Sequence, residues 1–118
     1  MGRFYEILMD NFTSPRNVGR MESPDRVGTA GTPGQGPFML LGLRIQDDVI
    51  VEAKYQTHGC GVTIAAGSML TELVTNRTIA DCRAITPEQL AEALGGVPPD
   101  KAYSPVLAVA ALQDALRG

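Results

Sequence analysis

Hydrophobic residues recur along this chain with two different periods, and the changes of period mark out its elements. Phe4, Ile7, Leu8 and Phe12 fall at helical spacing, and Pro15 with Gly19 closes the run, which predicts a short docking helix near the start. A glycine- and proline-rich stretch follows. In it Arg26 to Ala30 reads as an edge strand and Gly31-Thr32-Pro33-Gly34-Gln35-Gly36-Pro37 as an irregular loop. Leu41, Leu43 and Ile45 then alternate with Gly42, Arg44 and Gln46. Beyond Asp47-Asp48, Val51, Ala53, Tyr55 and Thr57 alternate with Glu52, Lys54 and Gln56. Two alternating runs around a short polar break predict a hairpin, with Asp-Asp leaving the turn type open.

The period then lengthens. Val62, Ala66, Met69, Leu70 and Leu73 make one helical stripe that ends near Asn76. Thr78 with Asp81 and Thr86 with Gln89 have the spacing of helix N-terminal boxes, the second reinforced by Pro87. The helix after Thr86 buries Leu90 and Leu94 and stops at Gly95-Gly96. Ser104-Pro105 opens a last helix with Ala108, Val109, Leu112, Ala115 and Leu116 on its apolar face, and Ser104 is read as its N-cap. The fold class is α+β: a small three-stranded antiparallel sheet with about five helices packed mainly on one face. The sheet is too short to fold alone, and the late helices have apolar faces to bury.

Composition narrows the setting. With 118 residues, 44% hydrophobic, the chain suits a single domain over 1–118. The net charge of -3 is spread out, so there is no basic stripe and no expectation of nucleic acid as a partner. No apolar stretch approaches a membrane span, and Met1 to Glu6 lacks the apolar core of a signal peptide, which excludes the membrane and points to the cytoplasm. In that compartment Cys60 and Cys82 are free thiols.

The chemistry gathers where the second long strand runs through His58-Gly59-Cys60-Gly61 straight into a helix. A cysteine at a helix N-terminus meets unpaired amides and the positive end of the dipole, which favour an ionised sulfur able to ligate a metal or carry sulfur. The other reading is a small buried hydrophobe. Cys82, in a short helix, is read as packing. His58 could add an imidazole ligand, or be a stacked or partly buried ring. His58 and Cys60 are too close along the chain to imply a base and its nucleophile, and no orienting acid is evident, so the chain is not read as an enzyme. Zinc sites use three or four such ligands, and only these two are on offer, so no tightly bound cofactor is expected.

Tyr55 to Ser68 resembles the second-cysteine segment of the iron-sulfur cluster scaffold family, the IscU proteins and the N-terminal domain of NifU. There a strand ends in Gly-Cys before a helix of small residues, which here is Val62-Thr63-Ile64-Ala65-Ala66-Gly67-Ser68. Ser14-Pro15-Arg16-Asn17-Val18-Gly19 resembles the family's Asn-Pro-Arg-Asn-Val-Gly, and Leu107-Ala108 with Ala111 and Ala115 follows its final helix. The resemblance implies an assembly scaffold with iron or an iron-sulfur cluster as its cofactor.

It also implies a degenerate cluster site. Of the family's three cysteines, Cys60 is retained. Gln35 and Ser104 stand at the other two positions, Pro37 at that of the aspartate beside the first, and Tyr103 at that of the histidine before the third. One thiolate is not the set of four thiolates or mixed thiolate and imidazole ligands that clusters take. Cys60, with His58, is then a residual metal or sulfur acceptor, and Gln35 is expected to make a loop hydrogen bond.

Val97-Pro98-Pro99-Asp100-Lys101 resembles the Leu-Pro-Pro-Val-Lys segment that an Hsp70-type chaperone grips in extended form, with Val97, Pro98, Pro99 and Lys101 as the matching contacts. The implied partners are a cysteine desulfurase and that chaperone, with a homodimer as a way to share two copies of Cys60. The alternative function is a non-metal binding or regulatory module that keeps the scaffold shape to engage assembly partners.

Overall fold

The computed structural model describes residues 5–117, so Phe4 of the expected first helix lies outside the described residues. In chain order the elements are α1 (Glu6–Thr13), β1 (Arg26–Gly31), β2 (Phe38–Gln46), β3 (Val49–His58), α2 (Gly61–Val74), α3 (Ile79–Arg83), α4 (Pro87–Ala93), a single 3-10 turn (Pro99–Lys101) and α5 (Tyr103–Ala115). The strands form one antiparallel sheet in the order β1-β2-β3. Met39, Leu41 and Leu43 of β2 and Ala53 and Tyr55 of β3 turn one face inward, where α2 and α5 cover it. This is the α+β arrangement expected from the periods.

The hairpin turn is made by Asp47 and Asp48, both in the left-handed region at φ 53° and 63°. Two positive φ values in a two-residue loop are the type I′ geometry whose twist matches that of the strands, and aspartate tolerates it through its short polar side chain. Close to the turn the register slips: Arg44 faces Glu52, but Ile45 faces Ile50. Val51 is therefore the extra residue of a bulge. The core position expected for Val51 belongs to Ile50, which is fully buried, because one inserted residue reverses which side chains point inward beyond it.

α2 is more deeply placed than an amphipathic stripe implies. Ala65, Ala66, Gly67, Ser68, Leu70, Thr71 and Val74 are buried, whereas Val62, Met69 and Leu73, expected on the inner face, are only partly so. Small residues let α2 lie close to the sheet, while its buried hydroxyls face the incoming N-terminal segment. The Arg16 N–H donates to Ser68 Oγ (3.0 Å), Ser68 Oγ to Asn11 Oδ1 (2.6 Å), and Asn17 Nδ2 to Thr71 Oγ1 (3.0 Å). Asn17 O and the Gly19 N–H pair with the backbone of Tyr55 at 3.0 and 2.9 Å. The Ser14 to Gly19 motif thus closes the free edge of β3 and ties it to α2.

The helix boxes form as spaced. Thr78 Oγ1 accepts from the Asp81 N–H, and Thr86 and Gln89 make both arms of a capping box with Pro87 in the first turn. Cys82 is fully buried, as packing. One expectation in the last third is corrected. Val97 and Pro98 lead into Pro99–Lys101, which is wound into the 3-10 turn. That turn runs on through Ala102, already helical at φ -61° and ψ -18°, so α5 starts at Tyr103. Ser104 accordingly sits inside the first turn, fully buried, and is not the N-cap.

Candidate functional site

β3 ends at His58, Gly59 makes the corner, and Cys60 caps α2 from an extended backbone at φ -80° and ψ 178°. Its carbonyl accepts from the N–H groups of Thr63 (3.0 Å) and Ile64 (3.2 Å), which opens the helix. Phe12 of α1 lies across the next residue, so closely that a Cβ at Gly61 would meet its ring carbon at 2.7 Å and the ring would have to shift. Cys60 itself is partly exposed.

Two hydroxyls contact the sulfur, and a third stands behind one of them. Tyr103 Oη, from the start of α5, lies 3.2 Å from Cys60 Sγ, and Thr63 Oγ1 lies 3.7 Å from it. Behind Thr63, at 3.0 Å, is the buried Ser104 hydroxyl. If Ser104 donates to Thr63, the Thr63 proton is free for the sulfur, and successive bonds of this kind polarise one another. Partial desolvation pushes the thiol up, but the bond from Tyr103, those from Thr63, and the amide of Val62 outweigh it and bring Cys60 from an ordinary 9.0 down to about 6. Every group that lowers it is a neutral dipole. At neutral pH the sulfur is mostly thiolate. Cys82 is the contrast: burial pushes its thiol up.

Tyr103 also helps to wall an apolar cleft of about 710 Å³, whose other walls include Ala30, Pro37, Val106, Leu107 and Ala110. A family model for the NifU-like N-terminal domain matches residues 4–118. The chain belongs to the NifU-like N-terminal domain family. It is 42% identical over 109 residues to iron-sulfur cluster assembly scaffold protein IscU 1 of Archaeoglobus fulgidus, covering 92% of this chain and 71% of the relative. To the IscU scaffold protein of Aquifex aeolicus it is 37% identical over 116 residues, covering 97% and 74%. The fold is that of a NifU-like protein (N-terminal) from Brucella abortus, with a TM-score of 0.76 at 18% identity over 95% of this chain and 90% of that one.

Within this family fold the expected site residues are not all brought together. Cys60, Tyr103 and, through Thr63, Ser104 converge. Pro37 joins Tyr103 only as a wall of the cleft. Gln35 is exposed; its backbone N–H closes a turn onto Thr32 O (3.0 Å), and the loop bond expected of its amide is not formed. His58 is exposed, not stacked or partly buried, because strand alternation puts it on the outer face with Lys54 and Gln56, and no bond joins it to Cys60. Among the described residues no group of three or more His, Cys, Asp or Glu is placed to hold a metal ion, and no helix is long and apolar enough to cross a membrane. Thr63 is the residue that sequence reasoning passed over. Its signal was its place three after the capping cysteine, where a side chain turns back toward the cap.

Proposed function

We propose that this chain serves iron-sulfur cluster assembly as a scaffold-type protein whose one reactive contact is Cys60, a sulfur acceptor, and that it does not hold a cluster alone. The observation that carries this reading is the partly exposed cysteine at the head of α2, with Tyr103 Oη at 3.2 Å and Thr63 Oγ1 at 3.7 Å from its sulfur, contacts that lower its thiol to about 6. Support for the assembly role comes from relatives that are themselves named iron-sulfur cluster assembly scaffold proteins. A cluster needs several thiolate or imidazole ligands, and among the described residues no group of three or more His, Cys, Asp or Glu is placed to supply them.

In the proposed step the Cys60 thiolate attacks the outer sulfur of a persulfide, R–S–SH, presented by a cysteine desulfurase. The bond from Sγ to that sulfur forms, the R–S bond to it breaks, and R–S⁻ leaves with the electron pair. Cys60 is left as a persulfide whose hydrogen goes to solvent when it ionises. Sulfur is passed without net redox change, one per chain, so the protein is a carrier and not an enzyme.

The test combines a desulfurase with cysteine as sulfur source and reads the intact mass. One added sulfur on the wild type and none on Cys60→Ser supports the reading. Anaerobic reconstitution with iron and sulfide supplies the other half: a stable thiolate-to-iron absorption at one cluster per chain or per dimer would sink it.

A further inference from the structure

Tyr103 reaches Cys60 from α5, across 43 residues of sequence, and does so in an unusual orientation for a surface tyrosine. An amphipathic ring normally keeps its carbon body covered and its hydroxyl in water. Here the residue is 40% exposed, its ring helps to wall the open apolar cleft, and the hydroxyl is turned inward to the sulfur at 3.2 Å. Thr63, backed by the buried Ser104, is the second hydroxyl against Sγ. The donors therefore hold the partly exposed sulfur from two helices.

We propose that Tyr103 is a positioning residue for sulfur transfer at Cys60: its hydroxyl donates to Sγ before transfer and to the terminal sulfur of the persulfide after it. This rests on the reading of Cys60 as a sulfur acceptor. The geometry permits the hand-over. A second sulfur bonds at about 2.05 Å from the first, so one set roughly at right angles to the 3.2 Å line from Sγ to Oη lies about 3.8 Å from the hydroxyl. A small rotation about the side-chain bonds of either residue closes that gap. A charged sulfur accepts the stronger bond, so the contact follows the charge from one sulfur to the other. Among the described residues the groups that bear on Cys60 are Tyr103, Thr63 and the amides of Val62 and Thr63, none of them charged, so none is an ionic competitor of the tyrosine.

The test is Tyr103→Phe, which keeps the ring in the cleft and removes only the hydroxyl. Inorganic polysulfide is the sulfur probe: the thiolate takes one sulfur and a polysulfide dianion one sulfur shorter departs. Iodoacetamide alkylation of Cys60 across a range of pH is the second arm. Loss of one bond to a charged sulfur is expected to slow both reactions about tenfold at pH 5 and to move the pH profile up by about one unit, with the unfolding midpoint unchanged. Ser104→Ala, which leaves Tyr103 and Cys60 in place, is expected to slow them less. Equal rates and profiles for wild type and Y103F would overturn the inference alone. A wild-type chain that alkylates rapidly yet takes up no polysulfide sulfur would overturn the acceptor reading and this inference with it.

Discussion

Tyr55 of β3 lies flat against Gly67 of α2, so closely that a Cβ at Gly67 would collide with ring atoms Cδ2 and Cε2. The tyrosine is almost wholly buried, its hydroxyl donates to Ile64 O at 2.7 Å, and burial pushes its pKa up to about 12. This contact sets how near α2 approaches the strand that delivers Cys60 to its N-terminus. Gly67→Ala gains about 1 kcal/mol of helix propensity, but overpacking a full core costs about 1–3 kcal/mol. A net loss of stability is expected in denaturant titration; a more stable variant would mean that the two elements can separate freely.

Ser68 joins Asn11 and the Arg16 backbone to α2. Ser68→Ala leaves the Asn11 carbonyl oxygen buried without that donor, for which about 1–3 kcal/mol is expected. The loss should also free α1, so hydrogen exchange at residues 6–13 should rise more than at β2. Uniform exchange changes across the chain would contradict a local clamp.

Cys60 and Cys82 should separate cleanly by pH. Alkylation of Cys60 is expected to climb through pH 6 and level off by about pH 8, following its lowered value. Cys82, fully buried and raised, should react only on unfolding. The same shift enters stability with a definite sign. The folded value of about 6 lies below the ordinary 9.0, so the contribution is complete above pH 9 and disappears as the pH falls through 6. The stability difference between wild type and Cys60→Ser should therefore grow with pH in that window. Comparative alkylation read by mass spectrometry, with denaturant titrations at several pH values, checks both.

Multiplying the ligands should create a metal site where one thiolate does not. Gln35→Cys, Pro37→Asp and Ser104→Cys together with Cys60 supply three thiolates and a carboxylate, which is a zinc-type set. The loop bearing Gln35 and Pro37 is exposed and can move toward Tyr103, whose cleft Pro37 already lines. Zinc affinity measured against a competing chelator is expected to rise by orders of magnitude in the triple variant and hardly at all in any single one. A folded triple variant that binds no zinc would show that these loops do not converge.

Local chemistry made much of this protein legible from its residues. The hairpin, the Thr86 capping box, the left-handed stop at Asn76 and the capping place of Cys60 all depend on side chains within a few positions of one another, so spacing alone specifies them. The family resemblance was legible for a related reason: its motifs are local runs in a fixed order.

What required the tertiary structure was every relation set by packing between distant elements. The bulge that exchanges Ile50 for Val51 arises from pairing with β2. Ser104, an ideal N-cap by its neighbours, was drawn inside α5 because the preceding 3-10 turn already supplies helical backbone, and its hydroxyl was then buried against Thr63. His58, two residues from Cys60, was left exposed on the outer face of β3 by strand alternation, whereas Tyr103, 43 residues away, was brought to hydrogen-bonding distance. The sequence places a cysteine at a helix end among the amides of Val62 and Thr63, but the largest of the dipoles that lower its thiol, the Tyr103 hydroxyl, reaches the sulfur only through the docking of α5 against α2.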